Sequence, residues 1–265
     1  MTHNAFIDAE PSAQKLEFEG HGGGRWFGTG FVVDHADRRW IVTCWHVLEA
    51  QKTAFAGYVD AKAVRFVNPA GPTIALGGDR TILGVRIDGV QVDCAAIEIQ
   101  AHEAPDVPRF LGGLTLDFVN YPQQEAITIR AKAGGPGIKI TSANHYMAQG
   151  FPGTDYTAKP VTMHCIAIAE LPKPYPWMIG YLPGGSGGFS GGPVISVHGS
   201  EGRLAGIHVH TYNQMLRLSG LDTETNQPII AEVGATWGGA APIQPLLDAM
   251  PIAGAGVRIV DVPAP

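Results

Sequence analysis

Apolar stretches in this chain are short, and glycine or proline interrupts almost every one of them. The 35 glycines and 20 prolines are spread along the whole length rather than gathered in one segment. Long helices do not tolerate that spacing, because proline removes a helical hydrogen bond and glycine loses more backbone entropy on folding than any other residue. Short strands joined by tight turns do, since turn positions are where both residues fit. A mainly β fold is expected. With 45% hydrophobic and 16% charged residues among 265, the chain has ample apolar material for a sizeable core.

Apolar character places one series of strands at 28–33, 39–44, 63–67, 81–87 and 94–99, with a turn at 34–37. A second series follows at 114–119, 126–131, 161–168, 193–197 and 204–209. Residues 1–22 are mixed and polar and read as an N-terminal arm. The segment 101–113 carries Pro105, Pro108 and mixed charge, which suits a linker. The expected organisation is thus an arm (1–22), an N-terminal barrel (23–100), a linker (101–113), a C-terminal barrel (114–240) and a terminal helix and tail (241–265). The helix rests on Ile243, Leu246, Leu247 and Met250, which repeat at i, i+3, i+4 and i+7 with Pro245 in the first turn.

Charge narrows the partners. Eighteen basic against 24 acidic residues give a net charge of −6 with no basic block, so the footprint expected for nucleic acid or an anionic membrane is missing. Cys44, Cys94 and Cys165 are odd in number and lack metal-ligand spacing, which argues against a disulfide framework and for a reducing compartment. The first ten residues lack the basic and apolar regions of a leader, and no apolar run is long enough to span a bilayer. A soluble cytoplasmic protein without metal or cofactor is the expectation.

The chemistry gathers at Gly188-Phe189-Ser190-Gly191-Gly192-Pro193-Val194, a serine among glycines. A serine hydroxyl is a weak nucleophile until a base takes its proton, and the base needs an orienting group. Ile41-Val42-Thr43-Cys44-Trp45-His46-Val47 supplies a histidine, and Val92-Asp93-Cys94-Ala95-Ala96-Ile97 an aspartate at the head of a strand. Each has an ordinary reading alone: a buried histidine, an aspartate opening a strand, a serine in a turn. Together they form an ordered trio, His46, Asp93, Ser190.

That trio resembles the trypsin-like (chymotrypsin-fold) serine proteases, with their Thr-x-x-His, Asp-x-Ala and Gly-x-Ser-Gly-Gly-Pro segments in this order. The resemblance runs from about residue 28 to about residue 250, and is nearest to glutamyl-endopeptidase-like and high-temperature-requirement-type bacterial domains. It implies two antiparallel six-stranded β-barrels with a short C-terminal helix, and hydrolysis of peptide bonds through an acyl-enzyme. In such a site His46 is the general base, Asp93 its orienter, and the amides of Gly188 and Ser190 form the oxyanion hole. The partner is then a protein or peptide substrate, and a regulatory protein would restrain the activity. The alternative is a silent module of the same fold that binds a peptide or partner protein.

Two departures from the digestive enzymes shape the expectations. Phe189 replaces the aspartate that pairs with a newly cut N-terminus, so activation by N-terminal cleavage is not expected. Gly184 stands where enzymes cleaving after Lys or Arg carry an aspartate. The resemblance instead puts His208 where glutamyl endopeptidases and some viral cysteine proteases contact a P1 Glu or Gln, with Gly184, Gly185 and Ser186 at the pocket entrance. His210 shares the face of His208 by period two. A packing histidine and a two-histidine metal site are the competing readings of that pair. The motif also satisfies Gly-x-Ser-x-Gly, the α/β-hydrolase elbow. That elbow must feed a helix and be followed by an acid and a histidine, whereas Gly191-Gly192-Pro193 leads into a strand and no histidine follows Asp222 or Asp248.

Overall fold

The computed structural model describes residues 12–49, 59–107, 109–111, 115–117, 127–130, 137–140, 145–153, 159–167, 178–198 and 201–263. The expected strand positions at 114, 118–119, 126, 131 and 168, and most of the arm at 1–11, lie outside the described residues. Two sheets organise the chain. The first holds β1 (Gln14–Gly20), β2 (Arg25–His35), β3 (Arg38–Thr43), β4 (Ala61–Phe66), β5 (Ile74–Ala75), β6 (Ile82–Ile87), β7 (Val90–Gln91), β8 (Ala95–Ile99) and β9 (Arg109–Leu111). The second holds β10 (Thr115–Asp117), β11 (Ile127–Arg130), β12 (Gly137–Ile140), β13 (His145–Gly150), β14 (Val161–Ala167), β15 (Ile179–Leu182), β16 (Pro193–His198), β17 (Glu201–Asp222) and β18 (Pro228–Pro242). A one-turn helix α1 (Trp45–Leu48) follows β3. After β18 the chain forms helix α2 (Gln244–Ala249) and ends in β19 (Val257–Val262), which returns to the first sheet.

The second sheet closes on itself. Its strands run β17-β16-β13-β14-β15-β18, and β18 pairs back onto β17, giving a six-stranded antiparallel barrel. The first sheet, ordered β19-β6-β8-β3-β2-β1-β4-β5, curls without closing among the described residues. The expectation of two closed antiparallel barrels is corrected here for a physical reason. β6 has β8 on one edge and the parallel strand β19 on the other, so β4 and β5 find no free edge of β6 to pair with. A second parallel pair joins β9 to β2.

Other sequence expectations shift as well. The supposed arm contains β1, a central strand between β2 and β4, and the supposed tail contains β19. Apolar burial joins the halves. One continuous core runs from Phe31, Trp40 and Ile41 of the first sheet through Ile195, Leu204 and Ile207 of the second to Leu246 and Leu247 of α2. Among the described residues no helix is long and apolar enough to cross a membrane.

Candidate active site

His46 is placed by α1, which begins as soon as β3 leaves the first sheet at Cys44. Asp93 holds it at two points. The backbone N–H of His46 donates to Asp93 Oδ1 (2.9 Å), and Nδ1 lies 2.6 Å from Asp93 Oδ2. An ionised carboxylate only accepts, so the imidazole carries its proton on Nδ1 and leaves the Nε2 lone pair free to act as a base. The aspartate side chain is 10% exposed and the histidine 25%, so the imidazole is the more solvent-facing member of the pair.

Ser190 sits in a loop whose glycines are compulsory. Gly188 and Gly191 have φ of +96° and +91°, a region that disfavours any side chain. A Cβ on Gly188 would lie 2.1 Å from the Phe151 carbonyl, on Gly191 2.0 Å from that of Thr29, and on Gly192 1.9 Å from that of Gln149. The amides of Phe189 and Gly192 bond within the loop, and that of Gly191 donates to the His208 carbonyl. Those of Gly188 and Ser190, the expected oxyanion donors, meet no acceptor among the described residues.

The Ser190 loop and the His46 segment meet at one atom. The His208 carbonyl accepts from the Gly191 amide (2.8 Å) and from the Cys44 thiol (3.1 Å), so the residue after Ser190 and the residue two before His46 share an acceptor. The Ser190 hydroxyl itself donates to the Val209 carbonyl at 3.3 Å rather than to His46. The structure therefore brings together His46 and Asp93 as a bonded pair and directs the Ser190 proton to Val209. A hydroxyl rotor re-aims by turning about one side-chain bond, and catalytic hydrogen bonds commonly tighten only when substrate arrives.

The expected pocket residues separate into two groups. Gly185 packs on the His208 ring, where an added Cβ would come within 3.0 Å, and Gly184 lies against the backbone of Trp237. The Ser186 carbonyl accepts the Phe189 amide. His208 is 1% exposed, with the Tyr181 hydroxyl on Nδ1 and Thr211 Oγ1 3.3 Å from Nε2. The Thr211 hydroxyl spends its proton on the Gly185 carbonyl (2.9 Å), so it accepts from Nε2–H, and Tyr181 donates to Nδ1. Burial pulls the His208 pKa down to about 3, with smaller contributions from His210 and His46, and keeps the ring neutral. His210 does not join it. A β-bulge between the two breaks the period of two, and His210 is exposed with its ring edge-on to Tyr212. Phe189, also 1% exposed, fills the space beside Gly150 and stands edge-on to the His208 ring.

Four residues at this site escaped the sequence reading. Thr29 donates its hydroxyl to the Gly188 carbonyl (2.6 Å) and its amide to that of Ser190 (3.2 Å), tying β2 to the nucleophile loop. Gln149 takes the amides of Ser12 and Ala13 and the Ser12 hydroxyl on one side-chain oxygen. Tyr181 and Thr211 fix His208. Only Thr29 had a signal, as the residue between two glycines at a strand that precedes the histidine. Cys44, His46 and Asp93 bring one ligand atom each within 4.8 Å of one another, yet all three are already hydrogen-bonded. Burial pushes the Cys44 thiol well up, which disfavours the thiolate a metal would need.

No protein-family model matches this chain, and no curated protein is significantly similar to it in sequence. Solved structures are similar in shape. Protease Anisep from Arthrobacter nicotinovorans aligns with a TM-score of 0.50 at 14% identity, over 88% of this chain and 90% of that one. A serine endoprotease from Yersinia pestis gives 0.47 at 17% identity, over 94% of this chain and 66% of that one. Catalytically active tobacco etch virus protease complexed with product gives 0.48 at 12%, over 97% and 85%. Identities this low speak to fold alone, and of the three only the alignment with Anisep is close enough to argue from. Together with the closed six-stranded barrel, the curled partner sheet and the short helix after them, it shows that this chain has the fold of the chymotrypsin-like serine proteases.

Proposed function

We propose that this protein is a serine endopeptidase. The observation that carries the reading is the two-point hold of Asp93 on His46, which leaves Nε2 free to take a proton, while the glycine-built Ser190 loop is linked to the His46 segment through the shared His208 carbonyl. In the proposed reaction Ser190 Oγ leaves the Val209 carbonyl, gives its proton to His46 Nε2 and attacks the substrate carbonyl carbon. The resulting oxyanion is bound by the Gly188 and Ser190 amides, and Asp93 stabilises the imidazolium. His46 then protonates the leaving amine, and water releases the acyl-enzyme by the same steps in reverse. At S1 the neutral His208, its Nε2–H turned toward Gly185 and Thr211, suits the side-chain oxygen of a P1 Glu or Gln once the long Thr211 contact is exchanged for it.

A fluorophosphonate probe tests the central claim, since it labels only activated serines. Wild type should be labelled and should cleave an unfolded protein, while Ser190→Ala should do neither. His46→Ala should lose about as much turnover as Ser190→Ala, because the groups act as a unit. Cleavage by Ser190→Ala at the wild-type rate would refute the assignment.

A further inference from the structure

The Ser190 loop rests on the end of β13 and the turn after it. Gln149, Gly150 and Phe151 lie against Gly192, Phe189 and Gly188 in turn, so closely that a Cβ on Gly150, Gly188 or Gly192 would strike backbone. Two residues further on, the Gly153 amide donates to the Gly187 carbonyl (2.6 Å). That bond decides where a proposed oxyanion donor points. The Gly187–Gly188 peptide is trans, so its C=O and N–H face opposite ways, and a carbonyl held by Gly153 turns the Gly188 N–H away from the 149–153 segment. The Phe189 carbonyl, held by the Gly192 amide, fixes the Ser190 N–H in the same manner.

Gln149 is itself held by the chain that leads into the first sheet. Its side-chain oxygen accepts the Ser12 amide (2.9 Å), the Ser12 hydroxyl (2.9 Å) and the Ala13 amide (3.3 Å). All three residues are buried. Buried polar groups are tolerated only when they meet partners, so Gln149 is fixed in one position while Ser12 and Ala13 are in place. The residues that follow enter the β1–β2 ladder, with Gln14 opposite Gly30 and Lys15 opposite Thr29. Thr29 donates its amide to the Ser190 carbonyl and its hydroxyl to that of Gly188. Residues 12–15 thus tie together the two strands that grip the Ser190 loop, β13 of one sheet and β2 of the other.

We infer that Ser12 and Ala13 form a clip that keeps the Gly188 and Ser190 amides in their oxyanion-binding orientation, with Gln149 as the positioning residue through which the clip acts. Lifting the clip, by substitution or by displacement of the N-terminal segment, slackens 149–153 and lets the Gly187–Gly188 peptide turn over. Transition-state binding then falls more than substrate binding. This rests on the protease reading and adds to it the regulation of the same site, exerted by a segment that works uncut.

Full-length variants test it, on a cleaved peptide and on the aldehyde of the same sequence, whose hemiacetal with Ser190 carries its oxygen in the same hole. Gln149→Met keeps the length of the side chain and removes the acceptor. It should lower kcat by about tenfold and weaken the aldehyde Ki by about the same factor, with KM changed by less than about twofold. Gln149→Glu retains an acceptor oxygen and should restore most of both. Ser12→Pro takes two of the three donors away from the other side, outside the β1–β2 ladder, and should reproduce the loss; it decides the matter if Gln149→Met does not fold. A smaller folded fraction lowers Vmax and leaves Ki alone, so a fall in kcat without a weaker Ki overturns the clip, as does a loss carried by KM or an unchanged kcat. If wild type is labelled by the fluorophosphonate and cleaves peptide, such results remove only the clip. If wild type neither labels nor cleaves, the protease reading falls and the clip with it.

Discussion

Thr29 shows how much of this site depends on residues that carry no chemistry. It is fully buried, and its hydroxyl donates to the Gly188 carbonyl while accepting the Phe151 amide at 3.4 Å. Thr29→Val keeps the shape and removes both bonds, leaving the half-buried Gly188 carbonyl and the amide of the buried Phe151 unpaired at a cost of about 1–3 kcal/mol. Turnover should fall by roughly one to two orders of magnitude (~1.4 kcal/mol per factor of ten) with KM little changed, because the proposed oxyanion donors, Gly188 and Ser190, lose the support of that carbonyl. Thr29→Ser should restore most of the rate; equal loss in both variants would assign Thr29 to packing. Tyr181→Phe probes the other half of the site. Without its hydroxyl, His208 Nδ1 loses its donor and the ring is free to change tautomer, so the ranking of P1 residues should shift. A ranking that stays the same in a peptide-library profile would make His208 a packing residue. The members of the proposed trio stand out in the sequence because each sits in a short local pattern. Thr29 and Gly188 are 159 positions apart, and Ser12 and Gln149 are 137 apart, so neither pairing leaves a local trace.

At the scale of elements, the strands missed by pattern are those whose burial is shared with charge. In β1 only Leu16 and Phe18 mark the apolar face, yet Lys15 and Glu17 are also buried, Glu17 because it pairs with both Arg25 and Arg65. A polar-looking heptapeptide is thereby made central to a sheet. β19 was hidden for the opposite reason: Val257-Arg258-Ile259-Val260-Asp261-Val262 has strand character, but nothing local says that it pairs with a strand some 175 residues earlier. Removing residues 257–265 should expose the β6 edge and take away the half-buried Ile259, Val260 and Val262 that pack against the core. Losing that burial costs about 3 kcal/mol, which corresponds to a drop in Tm of roughly 5–10 °C for a chain of this size. Thermal unfolding of the truncated protein measures it, and an unchanged Tm would mean that β19 adds nothing to the first sheet.

For the whole molecule, the joined core makes stability respond to acid as one quantity. His208 falls from an ordinary value of 6.5 to about 3 in the folded chain, chiefly by burial, and burial likewise lowers His164 to about 4. Between the folded and unfolded values the unfolded chain binds protons that the folded chain refuses, so unfolding is favoured as pH falls. The stability is therefore fully present above pH 6.5 and is lost progressively toward pH 3 to 4. Asp34 and Glu103, each held below its ordinary value with an arginine hydrogen bond among the causes, add to the loss only at lower pH, as protonation begins to break those pairs. Two limbs are expected: Tm nearly level from pH 8 to 7, a first decline from about pH 6.5 set by histidines, and a steeper one below the carboxylate range. By pH 5 His208 alone should remove on the order of 2 kcal/mol, at about 1.4 kcal/mol per pH unit. His208→Gln keeps a polar side chain at Tyr181 and Thr211 but cannot take up a proton, so it should flatten the first limb and leave the second in place. Scanning calorimetry of both proteins from pH 8 down to about pH 3 decides it. A wild-type Tm that holds steady to pH 5, or a first limb equally steep in His208→Gln, would show that His208 does not remain neutral at the cost of acid stability.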